Sequence, residues 1–363
     1  MNIGIDIRST LKKQTGIGKY TFNLINALGQ IDKTNNYYLY SRKKILDFKR
    51  RLLKLPARNF HHCVDYFKNG PDRVLHVGGG RDRPLLDIFH TSSYDLPKPK
   101  KTRRFAVTIH DVIIKAYPYG HSEKTIKEVD EQLKRVLEEA DLLVADSYNT
   151  KSDLIKFYKV EDLKIHVIYP GVDLPCPPAR WQKATWQVDK YILFVGTLEP
   201  RKNVQGLIKA FNLLKKEHKI EHKLIIAGMK GWMYEDIFKE YDNSEFKNDI
   251  IFKGYVGDKE LSELYQNASV FVYPSFYEGF GLPILEAFGY GVPVVISKTS
   301  SCGEIAGSGA LLINPESYKE IGETIFKIIN NESLRQELIK KGFERAKEFT
   351  WENTARKFLK LFT

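Results

Sequence analysis

Two glutamates flank a segment that could bind a polar ligand. Glu278 precedes a turn containing Gly279 and Gly281, and Glu286 follows Pro283, a favourable residue at a helix start. We expect Glu286 in the first turn of that helix. Glycines let a ligand approach the backbone, and helix-start N–H groups attract anions. Carboxylates there can accept from hydroxyls, so the segment indicates a site for an anion or a hydroxyl-rich ring. An ordinary solvated helix start is the alternative.

Two adjacent cations, Arg201 and Lys202, follow the predicted strand YILFVG after a short turn. Side chains that follow a parallel strand lie at its carboxyl end, where ligands of open sheets bind. Fixed Arg and Lys donors there could stabilise the negative charge of a leaving diphosphate. Taken alone, such a pair also suits a solvated surface.

Two further segments give weaker signals. Gly16 and Gly18 follow the first predicted strand and precede an apolar helical pattern, which indicates a glycine-rich turn that leads into a helix. The segment lacks the full G-x-G-x-x-G, and a plain strand-to-helix loop is the alternative. His110 ends another predicted strand and Asp111 follows it. A lone histidine is more often structural than functional.

The elements that would position these residues occur in two series. Short apolar strands alternate with amphipathic helical patterns, which is typical of a parallel sheet flanked by helices. Spaced apolar residues from Ile126 to Ala140 predict one such helix. The predicted strands are 2–8, 37–41, 87–91, 105–111, 142–147 and 165–170, then 191–196, 223–228, 250–255, 269–274 and 292–297.

Four prolines in residues 170–190 predict a linker between the two series. The fold class is therefore α/β, with an N-terminal domain over 1–172 and a C-terminal domain over 173–349. Two such domains joined by a hinge would form a cleft, with the site beyond the carboxyl ends of the strands.

Composition excludes several classes of protein. The chain has 363 residues, of which 42% are hydrophobic, enough for two buried cores. No apolar run approaches the roughly 18 residues of a membrane-spanning helix. Asp6 and Arg8 interrupt the start where a signal peptide needs apolar residues. Three scattered cysteines fit neither a disulfide framework nor a metal site, so we expect a cytoplasmic protein.

The net charge of +12 lies almost entirely in the first half. Residues 1–172 contain 31 basic and 20 acidic side chains, whereas 173–363 contain 26 and 25. Two basic clusters, the first with interleaved apolar residues, predict contact with an anionic membrane surface, and a solvated face is the alternative. The clusters are Arg42, Lys43, Lys44, Lys49, Arg50, Arg51, Lys54 and Arg58, then Lys98, Lys100, Lys101, Arg103 and Arg104.

A basic nucleic-acid-binding protein is the alternative from another class. The sequence pI of about 9.2 favours it. However, the chain has no helix-turn-helix, zinc-finger or RNP-like sequence, and this alternative leaves the Glu278 to Glu286 segment unexplained. We therefore expect no nucleic acid partner.

Four ordered motifs give the chain a resemblance to family 4 of the retaining, nucleotide-sugar-dependent glycosyltransferases, and the likeness spans most of the sequence. This resemblance implies the GT-B fold, with two Rossmann-like domains facing across a deep cleft. The N-terminal domain would bind the acceptor, the C-terminal domain the nucleotide sugar, and a last helix over 350–363 would return to the N-terminal domain. The motifs are TGIGKY at 15–20, IHD at 109–111, GTLEPRKN at 196–203 and E-GFGLPIL-E at 278–286.

The resemblance also implies a role for each matched residue. Glu286 would bind the nucleotide ribose, and Glu278 hydroxyls of the donor sugar. Arg201 and Lys202 would bind the donor diphosphate, and His110 would contact the donor sugar near the reacting carbon. With Glu278 these three form the expected catalytic set. The other implied donor-binding residues are Gly16, Gly18, Tyr255, Val256, Gly279, Phe280, Gly281 and Leu282.

The family's reaction retains anomeric configuration by front-face attack, in which a donor phosphate oxygen helps to deprotonate the acceptor. No protein nucleophile is then required, whereas a double-displacement glycosidase would need one. The chain contains no Asp-x-Asp sequence, so we expect neither a metal nor another cofactor. A phosphorylase or a sugar epimerase of the same fold is a further alternative.

GTLEPRKN resembles bacterial mannosyltransferases of O-antigen or capsule synthesis. The resemblance favours transfer of a hexose, mannose from GDP-mannose, to a hydroxyl of a glycan or lipid-linked oligosaccharide. UDP-glucose and UDP-N-acetylglucosamine are the alternative donors. The expected location is cytoplasmic, peripheral on the inner face of the plasma membrane. The chain departs from the commoner family pattern at Cys302 and Gly303, near a position often occupied by Pro before the glutamate that corresponds to Glu304.

Overall fold

The computed structural model describes residues 1–11, 16–42, 55–65, 74–76, 85–95, 98–99, 102–174 and 190–362. The chain divides into two compact units. Unit 1 comprises Met1–Val112, Lys124–Gly171 and Phe349–Thr363, and unit 2 comprises Ile113–Glu123 and Val172–Glu348. Most of the predicted linker and most of the first basic cluster lie outside the described residues.

The described residues form two sets of strands and helices. The strands are β1 (Asn2–Asp6), β2 (Asn36–Arg42), β3 (Phe60–Asp65), β4 (Val74–His76), β5 (Leu86–Thr91), β6 (Thr102–Ile109), β7 (Leu142–Ala145), β8 (Ile165–Val167), β9 (Tyr191–Val195), β10 (Lys223–Ala227), β11 (Ile250–Gly254), β12 (Val270–Tyr273), β13 (Val294–Ser297) and β14 (Ala310–Ile313). The helices are α1 (Gly16–Ile31), α2 (Ile113–Ala116), α3 (Glu123–Glu139), α4 (Tyr148–Tyr158), α5 (Val204–Leu213), α6 (Glu235–Asp242), α7 (Asp258–Asn267), α8 (Leu282–Gly289), α9 (Cys302–Ala306), α10 (Tyr318–Ile329), α11 (Glu332–Ala346) and α12 (Trp351–Lys360).

Unit 1 contains an eight-stranded sheet in the order β4-β3-β2-β1-β5-β6-β7-β8. All neighbours are parallel except β3 and β4. One apolar cluster joins Ile3 to Leu24 of α1 and Phe358 of α12, and a second joins Val107 to Leu133 of α3. Strand order reverses between β1 and β5, a topological switch point of the kind where ligands bind.

Unit 2 contains a six-stranded, fully parallel sheet in the order β11-β10-β9-β12-β13-β14. Counted within the unit, this is the Rossmann order 3-2-1-4-5-6, with its switch point between β9 and β12. Its strands are nearly continuous apolar runs, because helices cover both faces of a parallel sheet. The fold class expected from the sequence is confirmed.

The last helix belongs to unit 1. α12 packs through Phe358, which is fully buried, into the same cluster as α1. The chain passes close by at Gly171, where an added Cβ would lie 2.3 Å from the backbone nitrogen of Trp351. The side chain must therefore be absent at this crossing. No helix in the described part of the chain is both long and apolar enough to cross a bilayer.

The eleven predicted strands are confirmed, with ends that differ by up to three residues. Sequence patterns missed β3, β4 and β14, which are short or contain polar residues. The segment Ile113–Glu123 differs from the prediction, which assigned it to the N-terminal domain. Within unit 2, Tyr117 stacks on Phe276 with a centroid distance of 5.7 Å, and Gly120 lies beside Pro200 and Trp232.

Candidate functional site

Arg201, Lys202 and Glu278 are in direct contact at the switch point of unit 2. The two cations lie on a short 3-10 turn after β9, and Glu278 lies on the loop after β12. Arg201 Nη1 is 2.7 Å from Glu278 Oε2, and Lys202 Nζ is 2.6 Å from Glu278 Oε1. Neighbouring strands therefore bring together two segments that are far apart in sequence.

Glu278 is ionised although its side chain is buried, with 6% of the residue exposed. Burial alone would raise the pKa of this carboxyl group. The charges of Arg201 and Lys202 and the hydrogen bond from Lys202 outweigh burial and lower the pKa to about 2. Both carboxylate oxygens of Glu278 are engaged by cations.

Two residues that sequence reasoning missed complete this cluster. Glu199 is 1% exposed and accepts a hydrogen bond from Arg201 Nη2. Tyr273 accepts from Lys202 Nζ, which also lies 4.8 Å from the centre of its ring. Burial raises the pKa of Glu199 and lowers that of Lys202. An acid two positions before Arg201 in GTLEPRKN was the signal that could have identified Glu199.

Serine side chains fix the loop that carries Glu278. Ser300 Oγ accepts from the Glu278 backbone N–H at 2.9 Å. Ser301 Oγ donates to the carbonyl oxygens of Glu278 and Phe280 at 2.9 and 3.0 Å. Gly281 ends the loop with φ +102°, in the left-handed region that favours glycine. Gly279 and Phe280 are buried in the same loop.

The expectation for Glu286 requires a correction. α8 begins at Leu282, so Pro283 is its second residue and Glu286 lies in the second helical turn rather than the first. Gly281 is the N-cap residue in the left-handed conformation, and the chain enters the helix directly after it, so Leu282 precedes Pro283 in the first turn. Glu286 Oε2 accepts from Tyr265 Oη at 3.0 Å, and the ring of Tyr265 stacks on Tyr290.

Tyr255 and Val256 follow β11, two strands away from β9 in the sheet. Tyr255 is 63% exposed and Val256 is half-buried. Gly254, with φ +64°, turns the chain out of the strand before them. Both residues therefore lie at the same carboxyl edge of the sheet as Arg201.

His110 lies in unit 1, directly after β6, and pairs with Asp146, which follows the neighbouring strand β7. His110 Nδ1 is 2.6 Å from Asp146 Oδ2. The ring of Tyr20 meets the imidazole edge-on, with 5.0 Å between centroids. Sequence reasoning missed Asp146, although it is the next-to-last residue of the predicted strand 142–147.

Gly16 and Gly18 also differ from the expectation. They lie in the first turn of α1 rather than in a turn that precedes the helix. Gly16 is exposed, and an added Cβ would meet no atom within 4 Å, whereas Gly18 is buried. Glycines within a helix start carry no periodic signal that distinguishes them from a preceding loop.

A second polar network, also missed, lies at the switch point of unit 1. Arg8 donates to Asp6 and makes two parallel hydrogen bonds to Asp95, at 3.0 and 2.8 Å. Thr91 Oγ1 at the end of β5 donates to Asp6 at 2.9 Å. Burial opposes the charge on Arg8, but the two aspartates outweigh it and raise its pKa. The sequence showed that Asp6 and Arg8 argue against a signal peptide, but it did not predict their contact.

Comparison with known proteins identifies the family. Residues 15–175 match the family model described as Glycosyltransferase Family 4, and residues 178–345 match the one described as Glycosyl transferases group 1. O-antigen chain mannosyltransferase B of Escherichia coli is 31% identical over 360 residues, with 93% of each chain covered. The chain belongs to the family 4 glycosyltransferases.

Other relatives of this family 4 glycosyltransferase agree. O-antigen chain mannosyltransferase RfbU of Salmonella typhimurium is 30% identical over 217 residues, which cover 60% of this chain and 58% of RfbU. Sucrose-phosphate synthase from Thermosynechococcus elongatus has a TM-score of 0.73 at 19% identity, covering 100% of this chain and 98% of that one. The latter similarity concerns the GT-B fold alone.

Lys98, Arg103, Arg104 and Arg58 are the members of the basic clusters whose side chains are described. Lys98 pairs with Asp141 at 2.6 Å, and Arg103 pairs with Asp87 at 3.2 Å. Acidic neighbours thus balance part of the second cluster. Arg58 and Arg104 are exposed.

Three side chains in the described part of unit 2 have spacing that could suit a metal ion. The ligand atoms of Glu217, His218 and Glu323 lie within 4.8 Å of one another. His218 Nε2 is 3.0 Å from Glu323 Oε1, and its ring stacks on Phe326. An ordinary surface ion pair accounts for this group. Glu217 and His218 lie shortly before β10, at the amino-terminal edge of the sheet, whereas Arg201 lies at the carboxyl edge.

Proposed function

We propose that this glycosyltransferase transfers mannose from GDP-mannose to a hydroxyl of a glycan or lipid-linked oligosaccharide in cell-surface polysaccharide synthesis. The observation that carries the proposal is the 31% identity with O-antigen chain mannosyltransferase B, which extends over 93% of both chains. The similarity to RfbU, a second O-antigen chain mannosyltransferase, supports it.

Arg201 and Lys202 bind the donor diphosphate in this proposal. Their contacts with Glu199, Tyr273 and Glu278 hold both side chains in one conformation, so binding requires little further ordering. A leaving nucleoside diphosphate gains negative charge in the transition state, which two fixed cations stabilise. Glu278 accepts from hydroxyls of the donor sugar.

The other donor contacts are assigned residue by residue, as the family resemblance implies them. Glu286 binds the ribose, and Tyr255 and Val256 contact the nucleobase. Gly16 and Gly18 allow the phosphates to approach the backbone. His110 contacts the sugar near the reacting carbon. The remaining donor contacts come from the loop after Glu278, at Gly279, Phe280, Gly281 and Leu282.

The reaction retains anomeric configuration, and a donor phosphate oxygen takes the proton of the acceptor hydroxyl. Glu278 is a poor nucleophile because both of its oxygens are engaged by cations. This supports front-face attack over a double displacement through Glu278. Trapping of a covalent glycosyl-Glu278 adduct would contradict it. We propose that no metal takes part, so activity should be unchanged in excess chelator.

The basic first half of the chain attaches the enzyme peripherally to the inner face of the cytoplasmic membrane. Each Lys or Arg near an anionic lipid surface contributes about 1 kcal/mol to the free energy of membrane binding. Co-sedimentation with vesicles should therefore require anionic lipid and weaken at high salt. Sedimentation that is independent of both would contradict the membrane proposal and leave the transfer reaction unaffected.

A transfer assay tests the proposed function. The full chain is incubated with a membrane extract containing lipid-linked oligosaccharide and with GDP-mannose, UDP-glucose or UDP-N-acetylglucosamine, each labelled in the sugar. We expect label in the glycan from GDP-mannose. NMR couplings of the product should show that the new linkage has the same α configuration as the donor. Glu278→Gln should lose activity, and Glu337→Gln, on the exposed face of α11, should keep it. Transfer from a UDP-sugar alone would overturn the choice of donor.

A further inference from the structure

His110 and Asp146 form a buried pair in which each side chain keeps one polar atom without a hydrogen-bond partner among the described residues. The two side chains are 14% and 6% exposed, and one hydrogen bond of 2.6 Å joins Nδ1 to Oδ2. Among the described residues, the other ring nitrogen, Nε2, and the other carboxylate oxygen, Oδ1, are buried without a hydrogen-bond partner. An unsatisfied buried nitrogen is costly unless a ligand completes it.

We propose that Asp146 is a positioning residue that accepts a hydrogen bond from the Nδ1–H of His110 and keeps the imidazole cationic, with the Nε2–H free to donate to an oxygen of the nucleotide-sugar donor. The proposal rests on the proposed function, in which His110 contacts the donor. The proton stays on Nε2 throughout, so His110 stabilises charge and no proton transfer to or from it is required.

A second buried histidine in unit 1 shows what the carboxylate contributes. His90 is fully buried, and its Nε2 lies 2.8 Å from Thr108 Oγ1, a neutral partner. Burial and the charge of His110 lower the pKa of His90 to about 3. Burial also opposes the charged form of His110, but the charge and hydrogen bond of Asp146 outweigh it and raise the pKa. The two rings differ chiefly in the partner that each contacts.

Other groups around the imidazole hold its orientation and add to the field. Tyr20 packs edge-on against His110 and is itself 5.9 Å from Trp351 of α12. Thr150 Oγ1 donates to the His110 carbonyl at 3.3 Å. Asp111 adds a smaller favourable charge, whereas His90 is neutral and Tyr20 and Tyr94 stay protonated because burial raises their pKa values. Asp146 is therefore the dominant charge on the ring.

An NMR titration of the histidine Hε1 and Cε1 signals in the ligand-free full chain tests the positioning role. His110→Gln assigns the signal. We expect the wild-type midpoint to lie above 6.5, to fall by about one pH unit or more in Asp146→Asn, and to recover in Asp146→Glu. Asp111→Asn, a matched loss of one charge beside the same ring, should shift it less. A wild-type midpoint below 6.5, or a midpoint that is unchanged in Asp146→Asn, would overturn the proposal. The wild-type titration tests the proposal by itself, even if Asp146→Asn fails to fold.

Kinetics test the part played in transfer. Asp146→Asn should lower kcat by about 10- to 100-fold with little change in KM for GDP-mannose. The size of the effect is taken from carboxylates that orient metal-binding histidines in other enzymes. The alkaline limb of its pH profile should move to lower pH. If the NMR midpoint shifts but kcat and the profile do not, His110 does not act in transfer, and that part of the proposed function fails while Asp146 still sets the charge of the ring.

Discussion

Lys202 and Glu278 form a buried ion pair in unit 2, with 2.6 Å between Nζ and Oε1, although 76 positions separate them in the sequence. They follow β9 and β12, which are neighbours only because the strand order reverses there. Lys202 is 7% exposed and Glu278 6% exposed. Each charge therefore depends on the other, because water reaches neither side chain well.

Removal of the Glu278 charge should destabilise the protein as well as inactivate it. Glu278→Gln leaves Lys202 buried without a carboxylate partner, and breaking a buried pair in this way costs about 3–5 kcal/mol. Urea unfolding of the two proteins at pH 7 measures the difference in free energy of unfolding. The matched control is Glu337→Gln, which breaks the exposed pair with Lys341 on α11 and should cost less than about 0.5 kcal/mol. Equal costs would show that burial adds nothing to the pair.

The contribution of Glu278 to stability should depend on pH. Its folded-state pKa of about 2 lies below the value of about 4.3 expected in the unfolded chain, so the stabilisation is complete above the unfolded value and is lost as pH falls through the folded value. The difference corresponds to about 3 kcal/mol at neutral pH, and about half of it should be lost by pH 3. Urea unfolding of the wild type and Glu278→Gln at several pH values should show that the difference in their free energies of unfolding becomes smaller from pH 6 to pH 3. A constant advantage would show that the two proteins differ in packing rather than in charge.

The fold could be predicted where local pattern and packing agree. Strands such as β9 and β12 are apolar throughout, because both faces of a parallel sheet are covered, and their sequences show it. β14 has only four residues, of which Leu311 and Leu312 are not buried, and β3 contains two adjacent histidines. The four apolar residues of β14 are too few to tell a strand from a turn of buried helix, and β3 has neither the alternation nor the apolar run that indicates a strand.

The site could be predicted only in part, for a related reason. Arg201, Lys202 and Glu278 stand in motifs that follow strands, so their types and positions were visible in the sequence. Glu199 contacts Arg201 within one turn, so its spacing was visible, but the role of Asp146 depends on which side chain it meets across neighbouring strands. The sequence does not contain that information until the strand order is known. Asp146 is one of several acids that follow a strand, and only its contact with His110 distinguishes it.

Gly281 should be intolerant of a side chain because of its backbone conformation. Its φ of +102° is one that L-residues rarely adopt, and an added Cβ would lie 2.9 Å from Ile284 Cδ1. Gly281→Ala should therefore lower the free energy of unfolding by about 1–3 kcal/mol. Gly303→Ala is the matched control. Gly303 lies in α9, and the nearest atom to an added Cβ there is the Lys298 carbonyl oxygen, at 4.0 Å. That control should be neutral or slightly stabilising, because alanine favours a helix. If thermal unfolding shows the same effect for both variants, backbone strain at Gly281 is not the cause.

Phe358 should be the residue through which α12 stabilises unit 1. Its side chain is fully buried and packs edge-on against His90 and Phe362, with centroid distances of 4.7 and 4.8 Å. Phe358→Ala leaves a cavity between α12 and the sheet and should cost about 3–5 kcal/mol. Arg356→Ala removes an exposed side chain of the same helix, whose partner is Glu352, and should cost less than about 0.5 kcal/mol.

Hydrogen exchange locates the effect of Phe358→Ala. Side chains of α1 belong to the same apolar cluster as Phe358. Opening of this cluster exposes the backbone of α1, so the amides of α1 should exchange faster in the variant. Amides of β9 and β12 lie in unit 2, whose core Phe358 does not join, and their exchange should be unchanged. Faster exchange confined to α12 itself would mean that the helix frays alone and that the core of unit 1 does not depend on it.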